Sequence, residues 1–452
     1  MAQTLIKGAT LITLDSSLGD LASGDLLIDG EKIKAIAPSI DAPNAERIDG
    51  AGRIVIPGLV NAHMHTWQTA LRGVAANWTL IEYFHHMHAG LATKFKPDDL
   101  YIATLMGALN QINCGTTTLG DWCHNNPTPD HTDRAIDGLI ESGIRATFFH
   151  GSPKPDPKPG QKPFWEVPHP RSEVERLSKT RFTSKDQRVN LGLAILGPHY
   201  STYDVAVDDF RLAREYGLIA SMHCAGAEAR TPDGWDRLRK DGLLGDNNNI
   251  VHGQTLTDEQ LRFMLGQGVT FSLTPETELA QGHGFAITGR LRKLGAQPSL
   301  GVDLESMIGG DMLAVARVTM ASQRGLDNDE SRRTIGKLPA TSTIYCREAL
   351  EWITIEGAKM LKQEHRIGSL TPGKQADIVV IHADDLNMWP IHDPVTTVVT
   401  QTSLSNIEHV LIGGEFKKRD GKMLYPHLGD RKAALRASGR RILSEIGLAS
   451  AA

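Results

Sequence analysis

The sequence predicts an α/β protein: a (β/α)8 barrel of the TIM type with a small β-sandwich domain built from both termini. Eight short apolar runs alternate with longer helical patterns in the middle of the chain. Strand-like segments with Asp-Gly turns occur only near the two ends, and polar residues stand where the apolar runs finish. Alternating strands and helices are typical of a parallel sheet, and eight such units close a barrel.

The two ends of the chain predict the β-sandwich. The stretch "DLLIDGEKIKAIAP" alternates like a hairpin with its turn at Asp29-Gly30, and "IEHVLIGGEFKKRDGKML" repeats this pattern with Asp420-Gly421. We therefore expect the sandwich at 1–57 and 367–430, the barrel at 58–366, and a C-terminal helix or tail at 431–452.

The barrel strands are predicted from the eight apolar runs. In chain order they are "RIVIPGLVNAHMH", "GTTTLGDW", "RATFFHG", "NLGLAILGPHY", "LIASMHC", "NNIVHG", "VTFSLTP" and "QPSLGVD". Patterns such as "PDDLYIATLMGALNQINC" and "TDEQLRFMLGQG" predict helices between them. After the third run, the proline- and lysine-rich insertion at 152–172 predicts an ordered loop near the mouth of the barrel, or a solvated surface loop without a role.

Composition excludes several classes of protein. The 452 residues are 40% hydrophobic and 22% charged, with a net charge of -5 and no Lys/Arg-rich block, which argues against nucleic-acid binding. No apolar run approaches the roughly 18 residues that span a bilayer, and the N-terminus does not read as a signal peptide. Four scattered cysteines without C-x-x-C spacing indicate neither a disulfide framework nor a zinc ribbon. We expect a cytoplasmic protein that acts on a small molecule.

The first barrel run ends in two histidines, His63 and His65. Residues two apart on a strand face the same side, roughly 6–7 Å apart at Cα, which suits a shared metal ion. A pair of hydrogen-bonded histidines on a strand edge is the alternative. Further polar residues end the later runs, and the active site of this barrel lies at that face. They are Asp121, His150, His199, His223, His252 and Asp303.

These motifs resemble the amidohydrolase superfamily. "PGLVNAHMH", the single histidines in "SMHC" and "IVHG", "SLGVD" and "GSLTPGKQADIVVI" are similar to the branch of triazine chlorohydrolases and of deaminases of S-adenosylhomocysteine, guanine and 8-oxoguanine. The resemblance implies one divalent metal ion per chain; zinc is favoured, and iron, manganese or cobalt are alternatives. The implied ligands are His63, His65, His223 and Asp303. No lysine stands near the end of strand four, which argues against the two-metal branch.

The resemblance also implies roles beyond metal binding. His252 is expected just outside the metal shell, where it would hydrogen-bond the attacking water. Asp303 is expected to take the proton from that water and return it to the leaving group. His199 matches a position that contacts substrate, and Asp121 and Trp122 are expected to line the pocket.

The chain departs from the family pattern on two strands. Deaminases of this branch carry a glutamate three residues after the strand-five histidine, and this chain has Gly226 there. Strand seven instead brings Glu276 and Glu278 to the mouth of the barrel, with His283 close behind. One of these glutamates is a candidate replacement acid; the alternative is that they cap the following helix. His283 is a candidate substrate contact.

The leading hypothesis is a metal-dependent hydrolase of carbon–nitrogen bonds other than peptide bonds. Its preferred reaction is deamination of an aminated N-heterocycle such as a purine, pyrimidine, pterin or triazine. Gly226 favours the alternative, hydrolysis of a urea, a carbamate or a chlorinated heterocycle. A non-catalytic scaffold is the third hypothesis, which the complete ligand set disfavours. A homodimer or larger homo-oligomer is expected.

Overall fold

A computed structural model describes residues 3–226 and 228–447 of the chain. It confirms the predicted fold class, because an eight-stranded parallel sheet closes into a barrel and a second, mixed sheet gathers strands from both termini. Among the described residues, no helix combines the length and the apolar composition needed to cross a lipid bilayer. The first two residues of the predicted sandwich and the last five of the predicted tail lie outside the described residues.

The barrel contains all eight predicted strands in chain order. They are β6 (Leu59–Met64), β7 (Thr116–Cys123), β8 (Arg145–Gly151), β9 (Val189–Ala194), β10 (Ala220–Cys224), β11 (Asn248–His252), β12 (Thr270–Leu273) and β13 (Ser299–Leu300). Each strand pairs in parallel with the next. The barrel closes just beyond β13, where Asp303 bridges to Met64 of β6.

Helices connect and cover the strands of the barrel. The α-helices are α1 (Leu80–Tyr83), α2 (Pro97–Asn113), α3 (Pro129–Ser142), α4 (Arg171–Thr180), α5 (Gly197–Tyr200), α6 (Tyr203–Glu215), α7 (Gly234–Lys240), α8 (Asp258–Gly266), α9 (Pro275–Gln281), α10 (Thr288–Lys293), α11 (Met312–Ile335), α12 (Cys346–Trp352), α13 (Ile355–Met360), α14 (Pro394–Gln401) and α15 (Leu428–Ser444). The two helical patterns quoted above became α2, which begins at a proline, and α8, which begins after a Thr257 capping box.

Nine strands from the two ends form the mixed sheet. They are β1 (Gln3–Leu11), β2 (Leu21–Asp29), β3 (Lys32–Ala37), β4 (Glu46–Asp49), β5 (Arg53–Pro57), β14 (Ile378–His382), β15 (Ile407–Ile412), β16 (Glu415–Arg419) and β17 (Lys422–Met423). Both predicted Asp-Gly hairpins are present. The two halves join where β5 pairs with β14, and side chains from both ends of the chain form one apolar core.

The first predicted barrel run in fact belongs to both sheets. Its first half is β5 of the terminal sheet and its second half is β6 of the barrel, with Gly58 between them. A Cβ at Gly58 would lie 2.1 Å from the Thr117 hydroxyl oxygen, so only glycine fits where the chain crosses from one sheet to the other.

A buried ion pair fixes the terminal sheet to the N-terminal end of the barrel. Arg145, at the start of β8, donates from Nε to Asp377 Oδ2 at 2.9 Å and from Nη2 to Asp377 Oδ1 at 3.1 Å. The backbone N–H of Gly413 donates to Asp377 Oδ1 at 2.7 Å. Both charged side chains are only 2% exposed. Their charges and hydrogen-bonding groups are therefore matched within the protein.

Candidate active site

Four candidate metal ligands converge inside the C-terminal end of the barrel. His63 and His65 come from β6, His223 from β10, and Asp303 from the segment after β13. One ligand atom from each of them lies within 4.8 Å of all the others. The Nε2 atoms of His63 and His65 are both 3.3 Å from Asp303 Oδ1. The Nε2 atoms of His63 and His223 are 3.2 Å apart.

These distances fit a single tetrahedral ion. Donor atoms at 2.0–2.1 Å from such an ion lie about 3.3 Å from one another. His63, His65 and Asp303 are buried and His223 is partly buried, so the cluster lies in the interior of the barrel. The cluster therefore has the donor types, the spacing and the enclosure that a zinc-like ion needs.

The protonation states also suit metal binding. Burial lowers the pKa of His63 to about 3 and that of His223 well below its usual value, which keeps both imidazoles neutral. Burial alone would raise the pKa of Asp303, but hydrogen bonds with His63 and His65 hold this pKa well below its ordinary range. Neutral imidazoles and an ionised carboxylate are the forms that bind a cation.

The backbone of the cluster closes the barrel. The N–H of Asp303 donates to the carbonyl of His63 at 2.9 Å, and the N–H of His65 donates to the carbonyl of Asp303 at 2.8 Å. The side chain of His65 is fixed as well, since its Nδ1 donates to the carbonyl of Trp122 at 2.5 Å. This tautomer leaves the Nε2 lone pair of His65 free for a metal ion.

His252 lies beside the cluster and is held by Glu278. His252 Nδ1 donates to Glu278 Oε1 at 3.1 Å, and the same oxygen accepts the backbone N–H of Thr274 at 3.0 Å. The hydroxyl of Thr274 lies 3.3 Å from Asp303 Oδ2, so this network reaches the cluster. The Nε2 atom of His252 is thereby left as the available base.

Two of these residues have strained backbones. The φ angles of His252 and Asp303 are +73° and +70°, in the left-handed region that disfavours residues with side chains. Such strain costs about 1–3 kcal/mol per residue and is concentrated at functional sites. His252 is the last residue of β11, and Asp303 lies three residues after the end of β13.

The remaining strand-seven candidates occupy different places. Glu278 is fully buried and contacts His252, whereas Glu276 is half-buried and makes no hydrogen bond to the site among the described residues. Burial raises the pKa of Glu276. His283 lines the cavity, with its ring 4.7 Å from that of His252 and its Nε2 3.0 Å from Gln281 Oε1.

Three other candidates lie near the cavity but do not line it. His199 is buried and its Nε2 lies 2.9 Å from the carbonyl of Ala225, so its ring braces the end of β10. The ring of Trp122 packs 4.2 Å from that of His223. Asp121 accepts hydrogen bonds from the backbone and hydroxyl of Thr66, and burial raises its pKa to about 7. None of the three is among the described residues that line the cavity.

The cavity over the cluster is lined by several side chains that the sequence did not single out. Its empty space is about 380 Å³, including the open mouth. The additional lining residues include Leu80, Tyr83, Phe84, His124, Lys154 and Tyr200. His124 follows β7 directly, in the same way as the polar endings that predicted the site. Lys154 comes from the insertion, and only its proximity to the third strand could have indicated it.

A pair of histidines forms one wall of the cavity. His88 is the buried histidine of the helical turn Phe84–His88, which follows α1. Its Nε2 lies 3.2 Å from the Nε2 of His124. Burial lowers the pKa of both imidazoles well below the usual value. The pair therefore adds neutral hydrogen-bonding groups to the cavity.

The space that a side chain in place of Gly226 would need is filled by a residue from another segment of the chain. Gly226 has a φ of +86°, and a Cβ built there would lie 2.5 Å from Leu80 Cδ2. Leu80 thus fills the space that a side chain at 226 would enter. Glu228 is exposed, so it does not supply a carboxylate to the cavity in its place.

The chain is similar to known proteins over most of its length. Residues 54–417 match the model of the Amidohydrolase family. The chain is 26% identical to a 5-methylthioadenosine/S-adenosylhomocysteine deaminase of Caldicellulosiruptor saccharolyticus over 437 residues, which cover 93% of this chain and 94% of the relative.

Two solved structures share the fold. An atrazine chlorohydrolase from Arthrobacter aurescens TC1, solved with zinc, superposes with a TM-score of 0.85 at 23% identity, covering 96% of this chain and 100% of that one. An adenosine deaminase from Xanthomonas campestris with bound zinc superposes with a TM-score of 0.82 at 20% identity, covering 98% and 99%.

Proposed function

Because the chain belongs to the amidohydrolase family, we propose that it is a metal-dependent hydrolase that releases ammonia from an aminated N-heterocycle. Purines, pyrimidines, pterins and triazines are the candidate classes. The observation that carries the proposal is the convergence of three histidines and one aspartate beneath the cavity. The similarity to deaminases over almost the whole chain supports the same reaction.

His63, His65, His223 and Asp303 would hold one divalent ion, and we propose zinc. Three nitrogen donors and one oxygen donor suit zinc, while iron, manganese or cobalt would accept the same set. When bound, such an ion lowers the pKa of a coordinated water toward neutrality and polarises the acceptor. Both structures cited above that share the fold contain zinc, which supports this choice.

The chain's own residues would manage the protons of the reaction. Asp303 Oδ2, which lies 3.3 Å from the Thr274 hydroxyl, would accept a proton from the attacking water and pass it to the leaving nitrogen. His252 would orient that water through Nε2, and Glu278 would stabilise the imidazole when it carries a charge. A carbon–oxygen bond forms, the exocyclic carbon–nitrogen bond breaks, and ammonia leaves with the transferred proton.

Hydrolysis of a urea, a carbamate or a chlorinated heterocycle is the second candidate function. It is favoured by Gly226, because Leu80 fills the space from which an acid would protonate a ring nitrogen. An open-chain urea or carbamate has no ring nitrogen to protonate, and a chloride leaves without taking up a proton.

The test is turnover by metal-replete protein across matched substrate panels. Ammonia is measured with aminopurines, aminopyrimidines, pterins and aminotriazines, and the products of phenylureas, carbamates and chlorotriazines are followed by mass spectrometry. Ammonia release that a chelator abolishes and zinc restores is the expected result. Turnover of the second panel alone would replace deamination by the second candidate, and silence on both panels would contradict the proposal.

Oligomeric state and domain boundaries are the remaining properties of the protein. We propose a homodimer or larger homo-oligomer in the cytoplasm, and the segments 1–57, 58–366, 367–430 and 431–452 as its working units. Size-exclusion chromatography with light scattering measures the oligomeric state, and a monomeric mass would contradict that part of the proposal.

A further inference from the structure

The charge of the cavity lining is unusual for a site that would bind a neutral heterocycle. Among the described lining residues, Asp303 is the only carboxylate and Lys154 is the only lysine or arginine. Asp303 already faces His63 and His65. Any divalent ion held by the cluster would therefore leave the cavity with a net positive charge.

Lys154 is a buried cation that has no ion-pair partner among the described residues. The residue is only 7% exposed. No carboxylate of the described chain forms an ion pair with its amine, and burial alone shifts its pKa. Burial lowers this pKa to about 8, so the amine is mostly protonated at neutral pH. Buried charges are normally paired, because an isolated charge is strongly unfavourable away from water. The missing partner of Lys154 therefore points to a ligand.

Aromatic rings hold the amine at the edge of the cavity. The Nζ atom of Lys154 lies 5.3 Å from the ring centroid of Tyr200, 5.6 Å from that of Trp122 and 5.8 Å from that of Phe84. Cation–π attraction acts at these distances but does not neutralise the charge. The rings of Phe84 and Tyr200 are 6.0 Å apart and border the same space, so a planar heterocycle would meet apolar faces beside the amine.

The insertion that carries Lys154 is anchored at its far end. His169 Nε2 lies 2.9 Å from His150 Nδ1, and the backbone N–H of His169 donates to Asp209 at 2.7 Å. The carbonyl of Trp165 accepts the N–H of Thr202 at 3.0 Å. These buried contacts fix the path of the loop, and the lysine points into the site instead of into solvent.

We propose that Lys154 binds an anionic oxygen of the substrate, so that the compound hydrolysed here carries a carboxylate or an ionised ring oxygen. The inference rests on the proposed function and adds the charge of the substrate to it. The His88–His124 pair on the same cavity wall supplies further hydrogen-bonding groups for such an oxygen. Lys154 would act as a specificity-determining residue and would leave the proton transfers to Asp303 and His252.

Two matched pairs of compounds test the inference with the zinc-loaded protein. One pair is 4-aminopyrimidine-5-carboxylate and its carboxamide, which differ in a carboxylate. The other is ammelide and melamine, which differ in ionisable ring oxygens. Kd is measured by titration calorimetry and kcat and KM by ammonia release, for the wild type and for Lys154→Met, Lys154→Arg and Lys158→Met. Lys158 is an exposed lysine of the same loop and serves as the matched control.

We expect the wild type to bind at least one anion more tightly than its neutral partner. Lys154→Met should raise Kd and KM for that anion about ten-fold or more and leave the neutral compound nearly unchanged. Lys154→Arg should retain part of the preference, and Lys158→Met all of it. The pair that responds identifies the carboxylate or the ring oxygen as the bound group.

Three results would overturn the inference. They are failure of both anions to bind, equal Kd values within both pairs for the wild type, or an equal loss of kcat for anionic and neutral compounds in Lys154→Met. Because calorimetry does not depend on turnover, anion-selective binding without ammonia would contradict the proposed deamination and leave the role of Lys154 supported.

Discussion

The two ends of the barrel treat buried charge in opposite ways. At the N-terminal end, Arg145 donates two hydrogen bonds to the carboxylate of Asp377, and the backbone N–H of Gly413 donates a third. At the C-terminal end, no carboxylate of the described chain pairs with Lys154, and the Nε2 atoms of His63 and His223 lie 3.2 Å apart. Charges and donors are matched at one end and unmatched at the other.

This difference separates a region that stabilises the fold from a region that is suited to bind a ligand. A buried pair that is complete within the protein holds sheets together, and breaking it exposes a lone charge to an apolar interior. A buried group that lacks a partner costs free energy in the empty protein and recovers it only when a ligand arrives. Variants at the two ends should therefore fail in different ways.

The largest expected effect is on turnover at the C-terminal end. Asp303→Asn removes a metal ligand and the proposed proton carrier, so we expect kcat/KM to fall at least about a thousand-fold. Metal content, measured by plasma mass spectrometry, should fall with it. Asp246→Asn, a change at an exposed aspartate, is the control. Full activity of Asp303→Asn would remove this residue from the mechanism.

At the N-terminal end the expected loss is one of stability. Arg145→Met leaves Asp377 buried without its partner and should lower the free energy of unfolding by about 3–5 kcal/mol. The kcat/KM of the folded fraction should not change. Arg171→Met breaks an exposed pair with Glu215 and should cost no more than about 1 kcal/mol. Urea titrations measure both, and equal losses would erase the contrast between buried and exposed pairs.

The network behind His252 gives an intermediate effect. Glu278→Gln keeps an oxygen for the Thr274 N–H but removes the charge beside His252, so kcat should fall about 10–100-fold. Glu276→Gln, in the same turn of α9, should remain within about two-fold of wild type because no described contact joins it to His252. A larger loss in Glu276→Gln would reverse the assignment of the two carboxylates.

Removing the unpaired lysine should stabilise the protein. Lys154→Met replaces a buried cation by an apolar side chain, and we expect a gain of about 1–2 kcal/mol in the free energy of unfolding at pH 7. The folded pKa of about 8 lies below the unfolded value, so the folded state releases its proton first as pH rises. The stability of the wild type should therefore recover between pH 8 and pH 10.5, and the gain should shrink. A loss of stability on substitution would make Lys154 a structural residue.

The smallest expected effect is the pH dependence of substrate preference. Lys154 loses its charge as pH rises through about 8, so kcat/KM for an anionic substrate should fall about ten-fold from pH 7 to pH 9, relative to the neutral analogue. The other titratable groups that line the cavity are His65, Tyr83, His88, His124, Tyr200, His223, His252, His283 and Asp303. Burial lowers the pKa of His88, His124, His223 and His283 and raises that of Tyr83 and Tyr200, and the Asp303 carboxyl stays ionised, so these seven groups keep their charge in this range. A persistent slope in Lys154→Met would assign it to another group.

Local patterns predicted the strands and the candidate ligands. An apolar run that ends in a histidine or an aspartate marks both a barrel strand and the face to which its end points, and this pattern made His63, His65, His223 and Asp303 candidates beside Asp121, His150, His199 and His252. The resemblance to the amidohydrolase superfamily then singled out the first four. The run "RIVIPGLVNAHMH" predicts a single strand because its apolar pattern continues through Gly58. The close approach of Thr117 separates it into two strands, and no local pattern reveals that contact.

The rest of the cavity depends on contacts between distant segments. Lys154 lines the cavity from a loop whose far end is held by the contact of His169 with His150, and the loop sequence alone gives no direction to its lysines. Leu80 lies against Gly226 from a helix that precedes it by 146 residues. The lining of the cavity depends on these long-range contacts. The reaction class was therefore easier to predict from the sequence than the substrate.

The backbone hydrogen bonds between Asp303 and the strand of His63 and His65 have a consequence for biosynthesis. Asp303 follows His63 by 240 residues, so a nascent chain emerging from the ribosome contains the three histidines long before the carboxylate that completes their set. Pairing at such separation carries a large entropic cost until the intervening strands are in place. A metal ion held by these four residues would therefore bind late in folding, since an incompletely folded chain would offer it only a partial chelate.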